Sequence, residues 1–193
     1  MDGDAKLERY PPVMMHCLLS AVRRFEPDFY AHLCRAYHLD ADRILGLFSE
    51  VEELGAAQLT AMVGELREHQ AYHEIVFLAG RNALHTYAEQ QHARPSPLLT
   101  GASRFNTLAK QLLPAFLGRS SYVLMSRGNL QFVELHDSVF ARGVHAVRPL
   151  CGFYCGFLAE LGSTCVPGAA ISTEVRCVAL EPDATSCLLQ ISL

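Results

Sequence analysis

The chain has 193 residues, the length of one domain or of one domain with a helical appendage. Half of the residues are hydrophobic and 19% are charged, which excludes disordered, collagen-like and linker classes and allows a sizeable core. The formal net charge is -4 and no basic cluster exceeds the pair Arg23-Arg24, so a duplex nucleic-acid binder is not expected.

No apolar run reaches the roughly 18 residues of a membrane span. The start, Met1-Asp2-Gly3-Asp4, is acidic where a signal peptide is basic, so a cytoplasmic setting is expected. The seven cysteines are odd in number, and five fall between Cys151 and Cys187. In a reducing compartment such clustering favours metal ligation or reactive thiols, against the plainer reading of small core residues.

Residues 1–94 read as a helical region. Pro11 and Pro12 suit a first turn before Val13–Phe25, and Pro27 opens Asp28–Tyr37. Asp40 suits the N-cap of Ala41–Leu54, where Ile44, Leu45, Leu47 and Phe48 share a face. Ala56–His69 follows Gly55. Tyr72, Ile75, Val76 and Ala79 then keep helical spacing in a segment from about Gln70 to Gln91. His92–Ser103, with Pro95, Pro97 and Gly101, reads as a linker. Arg104–Leu117 reads as a helix with Phe105, Leu108, Leu112 and Phe116 in phase, kinked or ended at Pro114.

After Gly118 the period changes. Ser121–Ser126 and Leu130–His136 flank Gly128-Asn129 and predict a β-hairpin. Val147–Leu161, with Pro149 early and Gly162 just past the end, predicts a helix. Gly168–Leu180 and Thr185–Leu193 predict two strands around Glu181-Pro182-Asp183. The order β-β-α-β-β describes an α+β domain over 103–193, an antiparallel sheet with packed helices. Ten charged side chains fall in residues 120–193 and 26 in residues 1–119, so the larger buried core is expected in this part.

The chemistry concentrates in Cys151-Gly-Phe-Tyr-Cys155-Gly156, Glu174-Val-Arg-Cys177 and Cys187. Thiolates from a helix end and from two strands, with a carboxylate, can close a tetrahedral zinc site; soft thiolates exclude magnesium and calcium. Residues three apart on a strand face opposite ways, so Glu174 and Cys177 can meet only across a bulge or strand end. Cys155 lies one helical turn from Cys151, so an all-cysteine set of Cys151, Cys155, Cys177 and Cys187 is the alternative.

Cys151-x4-Gly156, Glu174-x2-Cys177 and Cys187 resemble the 4-vinyl reductase domain family, which includes aromatic-sensing parts of bacterial regulators and is similar in fold to subunits of the TRAPP tethering complex. The resemblance covers roughly 103–193. It implies a structural zinc on Cys151, Glu174, Cys177 and Cys187, beneath a pocket between helices and sheet. Phe105, Phe132, Tyr154 and Phe157, on elements that should meet, are the expected ligand-binding residues, with core packing as their plainer reading. Gly152 and Gly156 inside a helix point to close packing on a strand or a ligand.

Two other groupings are weaker. Glu65, His69 and His73 at helical spacing could hold a metal or a haem iron, but read more simply as a solvated face. His136-Asp137-Ser138 has the residue types of a triad, but strand neighbours alternate sides. No phosphate loop, dinucleotide fingerprint or Gly-x-Ser-x-Gly is present.

The reading is a non-catalytic domain, sensor or carrier, that binds a small apolar or aromatic ligand over a structural zinc. It is expected to dimerise through its N-terminal helices and to signal to a protein partner. The rival is a tetrapyrrole-linked protein: a haem binder, or an accessory or reductase for a chlorophyll precursor. A scaffold whose pocket is filled by side chains is the third class.

Overall fold

Prolines and apolar stripes set the first half of the chain. In a computed structural model that describes residues 12–39, 56–90, 99–117, 121–181 and 183–193, α1 spans Pro12–Phe25 and α2 spans Pro27–Ala36. Pro27 sits in the first turn of α2, where its missing N–H costs nothing. The helices α3 (Ala56–Arg67) and α4 (Tyr72–Gln90) follow. The expected Ala41–Leu54 helix and most of the expected linker lie outside the described residues. A fifth helix, α5, runs Gly101–Leu112 and tightens into a 3-10 turn at Leu113–Phe116. Pro114 cannot donate to the helical ladder, so the α-helix ends two residues before it.

The hairpin forms as the sequence predicts. Strand β1 (Ser121–Arg127) pairs antiparallel with β2 (Leu130–His136), and Gly128 takes the positive φ of +61° that the tight turn needs. A sixth helix, α6, spans Gly152–Ser163. Strands β3 (Ile171–Arg176) and β4 (Cys187–Ser192) complete an antiparallel sheet in the order β1-β2-β4-β3. The expected α+β class, an antiparallel sheet with packed helices, is what the chain forms.

Helix α6 is the centre of the molecule. Every residue from Phe153 to Gly162 is buried, as expected of a helix packed on all sides. It lies between α4 and the sheet. A Cβ on Gly80 would collide with the Phe153 carbonyl, and one on Gly156 with the Phe77 carbonyl. The glycines therefore serve a close helix–helix crossing, not the helix–strand contact the sequence suggested. Gly162 does not stop the helix. It lies within it, where a side chain would strike Ala170 and Leu193. Glu160, 8% exposed, fastens the same crossing: Arg81 Nε donates to it at 2.7 Å, and His85 Nε2 lies 2.8 Å from its other oxygen.

Three local expectations change. The α6 helix begins at Gly152 rather than Val147, because the Leu150 carbonyl accepts the Tyr72 hydroxyl at 2.8 Å and the first helical bond is Cys155 N to Cys151 O. The Glu65–His69–His73 face does not exist, because α3 ends at Arg67 and α4 starts at Tyr72. On β2 the inward residues are Gln131, Val133 and Leu135, so Phe132 points the other way, opposite Met125 on β1. That outer face also carries Val123, Ile171 and Val175, each more than 40% exposed.

Candidate functional site

The cysteine and glutamate residues meet where the sheet ends against the start of α6. Cys151 Sγ, a carboxylate oxygen of Glu174 and Cys187 Sγ lie within 4.8 Å of one another. Cys177 Sγ is 4.0 Å from Cys187 Sγ. Each element contributes for a local reason. Cys151 is the residue just before α6, Cys187 opens β4, and Cys177 follows the last residue of β3. The pairing of β3 with β4 shifts register between Glu174 and Arg176. The chain then turns, with Leu180 and Glu181 N–H groups both donating to the Cys177 carbonyl. This bulge and turn bring Glu174 and Cys177 to one side despite their spacing of three.

The polar groups of the cluster are only partly satisfied. Cys151 N–H donates to Glu174 Oε2 at 2.7 Å, and Cys151 Sγ donates to Ser138 Oγ at 3.3 Å. Glu174 Oε1 is buried with no hydrogen-bond partner. Burial pushes the Glu174 carboxyl up to about 8, with the neighbouring Cys177 adding to the effect. Hydrogen bonding to Cys177 and Cys187, with burial behind it, holds the Cys151 thiol well above its ordinary range. Cys177, which accepts the Cys187 S–H at 4.0 Å, is shifted the other way by its neighbouring thiols, below its ordinary range. The cluster thus gathers three buried thiols beside a carboxyl group with one unpartnered oxygen.

That donor set suits a soft divalent ion. Cys151, Glu174 and Cys187 converge, with Cys177 Sγ beside Cys187, and these are residue types that zinc takes. Ser138, which sequence reading took only as part of an implausible triad, stands behind Cys151 as an outer hydrogen-bond partner. Cys155 and Cys177 both lie outside the three converging residues, but Cys177 Sγ is 4.0 Å from Cys187 Sγ whereas Cys155 lines a groove beside Ser172, its thiol pushed up to about 12 by burial.

That groove, about 400 Å³ in volume, is formed by the starts of α4 and α6 and by β3. Its walls include His73, Phe77, Pro149, Cys155, Ser172 and Glu174. Glu174 therefore belongs to both the groove and the cluster. Ser172 is 8% exposed, and its Oγ sits against the Cys155 thiol. Burial, with Arg148 nearby, lowers the His73 imidazole below its ordinary value and favours the neutral ring.

The four aromatics singled out from the sequence are not part of that groove. Phe105, Tyr154 and Phe157 are wholly buried. The Tyr154 hydroxyl donates to the Phe116 carbonyl at 3.0 Å, and Phe157 packs at a tilt against Phe116 with ring centroids 5.0 Å apart. Phe132 is on the other face of the sheet. Of the histidine face, Glu65 accepts from the Tyr37 hydroxyl at 2.5 Å, His69 packs on the Phe29 ring, and only His73 reaches the groove.

No family model and no curated protein matches the sequence. Solved structures do share the fold. An H-NOX protein from S. oneidensis, in an Fe(II)NO ligation state, is 14% identical with a TM-score of 0.58, over 94% of this chain and 98% of that one. An H-NOX protein from work on haem distortion in that family is 15% identical with a TM-score of 0.57, over 95% and 94%. The phenol-responsive sensory domain of the transcription activator PoxR, with phenol, is 16% identical with a TM-score of 0.51, over 73% and 77%. The expected membership of the 4-vinyl reductase family, with its tethering-subunit likeness, is overturned by these neighbours. What the likeness establishes is the fold, an H-NOX-like α+β arrangement that spans nearly the whole chain.

Proposed function

We propose that the chain is a non-catalytic sensor domain that binds a small molecule, directly or on a haem. The observation that carries this is the groove beside the cysteine–glutamate cluster, an apolar recess with a few convergent polar groups, the usual form of a small-molecule site. The solved neighbours weigh toward the haem alternative, since the H-NOX structures are described by haem and iron ligation states; the phenol-responsive domain supports a free ligand.

From this chain's own residues, His73 is what supports haem. Among the described residues no histidine is fully buried, and His73 is the imidazole that reaches a cavity. Its preference for the neutral form leaves a ring nitrogen free to ligate iron. A bound haem would supply an iron centre for a gas or other small ligand. His73 would hold it, and Phe77 and Pro149 would keep water from one edge.

In the same reading a zinc ion on Cys151, Glu174, Cys177 and Cys187 clamps the start of α6 to the ends of β3 and β4. Its role is to fix the groove wall, not to react. No described helix is long and apolar enough to cross a membrane, and the described cysteines are free thiols, in keeping with the cytoplasmic setting expected. The N-terminal helices pair two copies, and a partner protein reads the ligand state.

Titration of the purified full chain with hemin tests the haem arm. A saturable Soret band at one haem per chain, lost in His73→Ala, is the expected result. Hemin spectra identical to those of free hemin would reject haem and leave the free-ligand arm.

A further inference from the structure

Strand β3 is an edge of the sheet, paired with β4 in the order β1-β2-β4-β3. Alternate residues of a strand turn their backbone N–H and C=O to the same side, so half of those groups on β3 point away from β4. Among the described residues no hydrogen bond reaches them from that side. The groove runs along this edge. Three consecutive residues, Ser172, Thr173 and Glu174, line it, although successive side chains point to opposite faces. A cavity meets all three only along the flank of the strand. An unpaired edge is a ready template for another strand. Across the groove stand Phe77 of α4 and Pro149, so a strand laid on β3 would pack one row of side chains on apolar surface. Its other row would lie beside Ile171 and Val175, 65% and 49% exposed on the outer face of the sheet. No Lys or Arg lines the groove, and Glu74 stands exposed on its rim. The opposite edge, β1, carries no acid and ends in Arg127.

We propose that the free edge of β3 takes up an extended segment of a partner protein as a fifth strand, a segment apolar on both faces with a Lys or Arg that meets Glu74. The backbone ladder supplies the affinity, and the groove and Glu74 supply the side-chain preference. Only a backbone offers N–H and C=O at the repeat that the edge presents, and only a strand covers Ile171 and Val175 while it enters the groove. The role of this contact rests on the sensor reading: it places the partner against the groove whose occupant it reports.

The probe is a fluorescein-labelled peptide of sequence Lys-Val-Thr-Val-Lys-Val, added to the full chain. Anisotropy should show saturable binding of one peptide per chain. Two further peptides carry N-methyl groups, one on the first, third and fifth residues and the other on the second, fourth and sixth. One of them should bind about tenfold more weakly or worse and the other should bind unchanged, because only alternate N–H groups face β3. Glu74→Lys, at the exposed start of α4, should weaken the probe and strengthen a version with Glu in place of both Lys residues. Amide hydrogen exchange should slow in β3 on binding and stay unchanged in β1. Equal loss from both methylated peptides, slowing in β1 instead, or no binding would overturn the strand site. Hemin binding without peptide binding would overturn it and leave the sensor reading standing. Peptide binding with hemin spectra identical to those of free hemin would keep the strand site and reject haem alone.

Discussion

Glu174 joins two parts of the chain through Cys151, 23 residues earlier: its Oε2 accepts the Cys151 N–H at 2.7 Å, while its Oε1 stays buried without a partner. One oxygen thus fixes the start of α6 against β3, and the other is left for a ligand. A buried carboxylate oxygen with no partner is costly unless a proton or a cation meets it.

Zinc retention should therefore depend on the sulfurs unequally. Cys177→Ser and Cys187→Ser should each lose the ion, since a hydroxyl replaces a thiolate poorly at about 2.3 Å. Cys155→Ser should keep it, because Cys155 lines the groove, whereas Cys177 Sγ lies 4.0 Å from Cys187 Sγ. Glu174→Gln should weaken binding and still fold, because three thiolates remain. Metal analysis of the four variants checks this. Loss in Cys155→Ser with retention in Glu174→Gln would select the all-cysteine set instead.

In the metal-free protein the Glu174 carboxyl should contribute an inverted pH response. Burial foremost, then Cys177, holds the Glu174 carboxyl at about 8 in the folded chain, against an ordinary value of 4.5. Between those two values Glu174 keeps a proton that the unfolded chain has released, so its own contribution to stability falls as pH rises through that window; Cys177, held below its ordinary value, opposes it, and the difference between wild type and Glu174→Gln isolates the Glu174 part. Below 4.5 the contribution is fully present. Zinc removes the decline, because it needs the deprotonated carboxylate, and its affinity rises with pH as binding releases protons. Thermal unfolding of chelated and zinc-loaded protein from pH 5 to 8 checks both slopes.

The α4–α6 crossing should reject any side chain. Gly156→Leu should destabilise by at least about 1 to 3 kcal/mol, because its Cβ already meets the Phe77 carbonyl. Gly64 of α3 is the contrast: a Cβ there meets nothing within 4 Å, so Gly64→Ala should stabilise by up to about 1 kcal/mol. Denaturant unfolding of the two variants gives the sign of each.

Much of this was legible from residue order. The hairpin could be read from Gly128-Asn129, and the end of α5 from Pro114. The cysteine–glutamate cluster was legible as residue types, though spacing alone forbade Glu174 and Cys177 from meeting. The register shift that lets them do so depends on β3 pairing with β4, which no local pattern encodes. Phe132 was misplaced because β2 is apolar on both faces. Its polar Gln131 faces inward, fully buried, since Ser126 Oγ donates to its side-chain oxygen. Pro149 suggested a helix start that Tyr72, 78 residues away in sequence, prevents by taking the Leu150 carbonyl. Ser172, which meets the Cys155 thiol, has no sequence signal at all.

The N-terminal helices should hold two copies together. Light scattering of the purified chain at micromolar concentration should give the mass of a dimer, and a monomer there would remove the dimer from the account.

The central claim is that a metal-clamped sheet end forms one wall of a ligand groove. Native mass spectrometry of the protein, purified without chelator, tests it most directly, because a bound ion and a bound organic molecule each add mass. The account predicts one zinc per chain, retained in Cys155→Ser and absent in Cys187→Ser. A bare polypeptide mass that stays bare after incubation with zinc would contradict it.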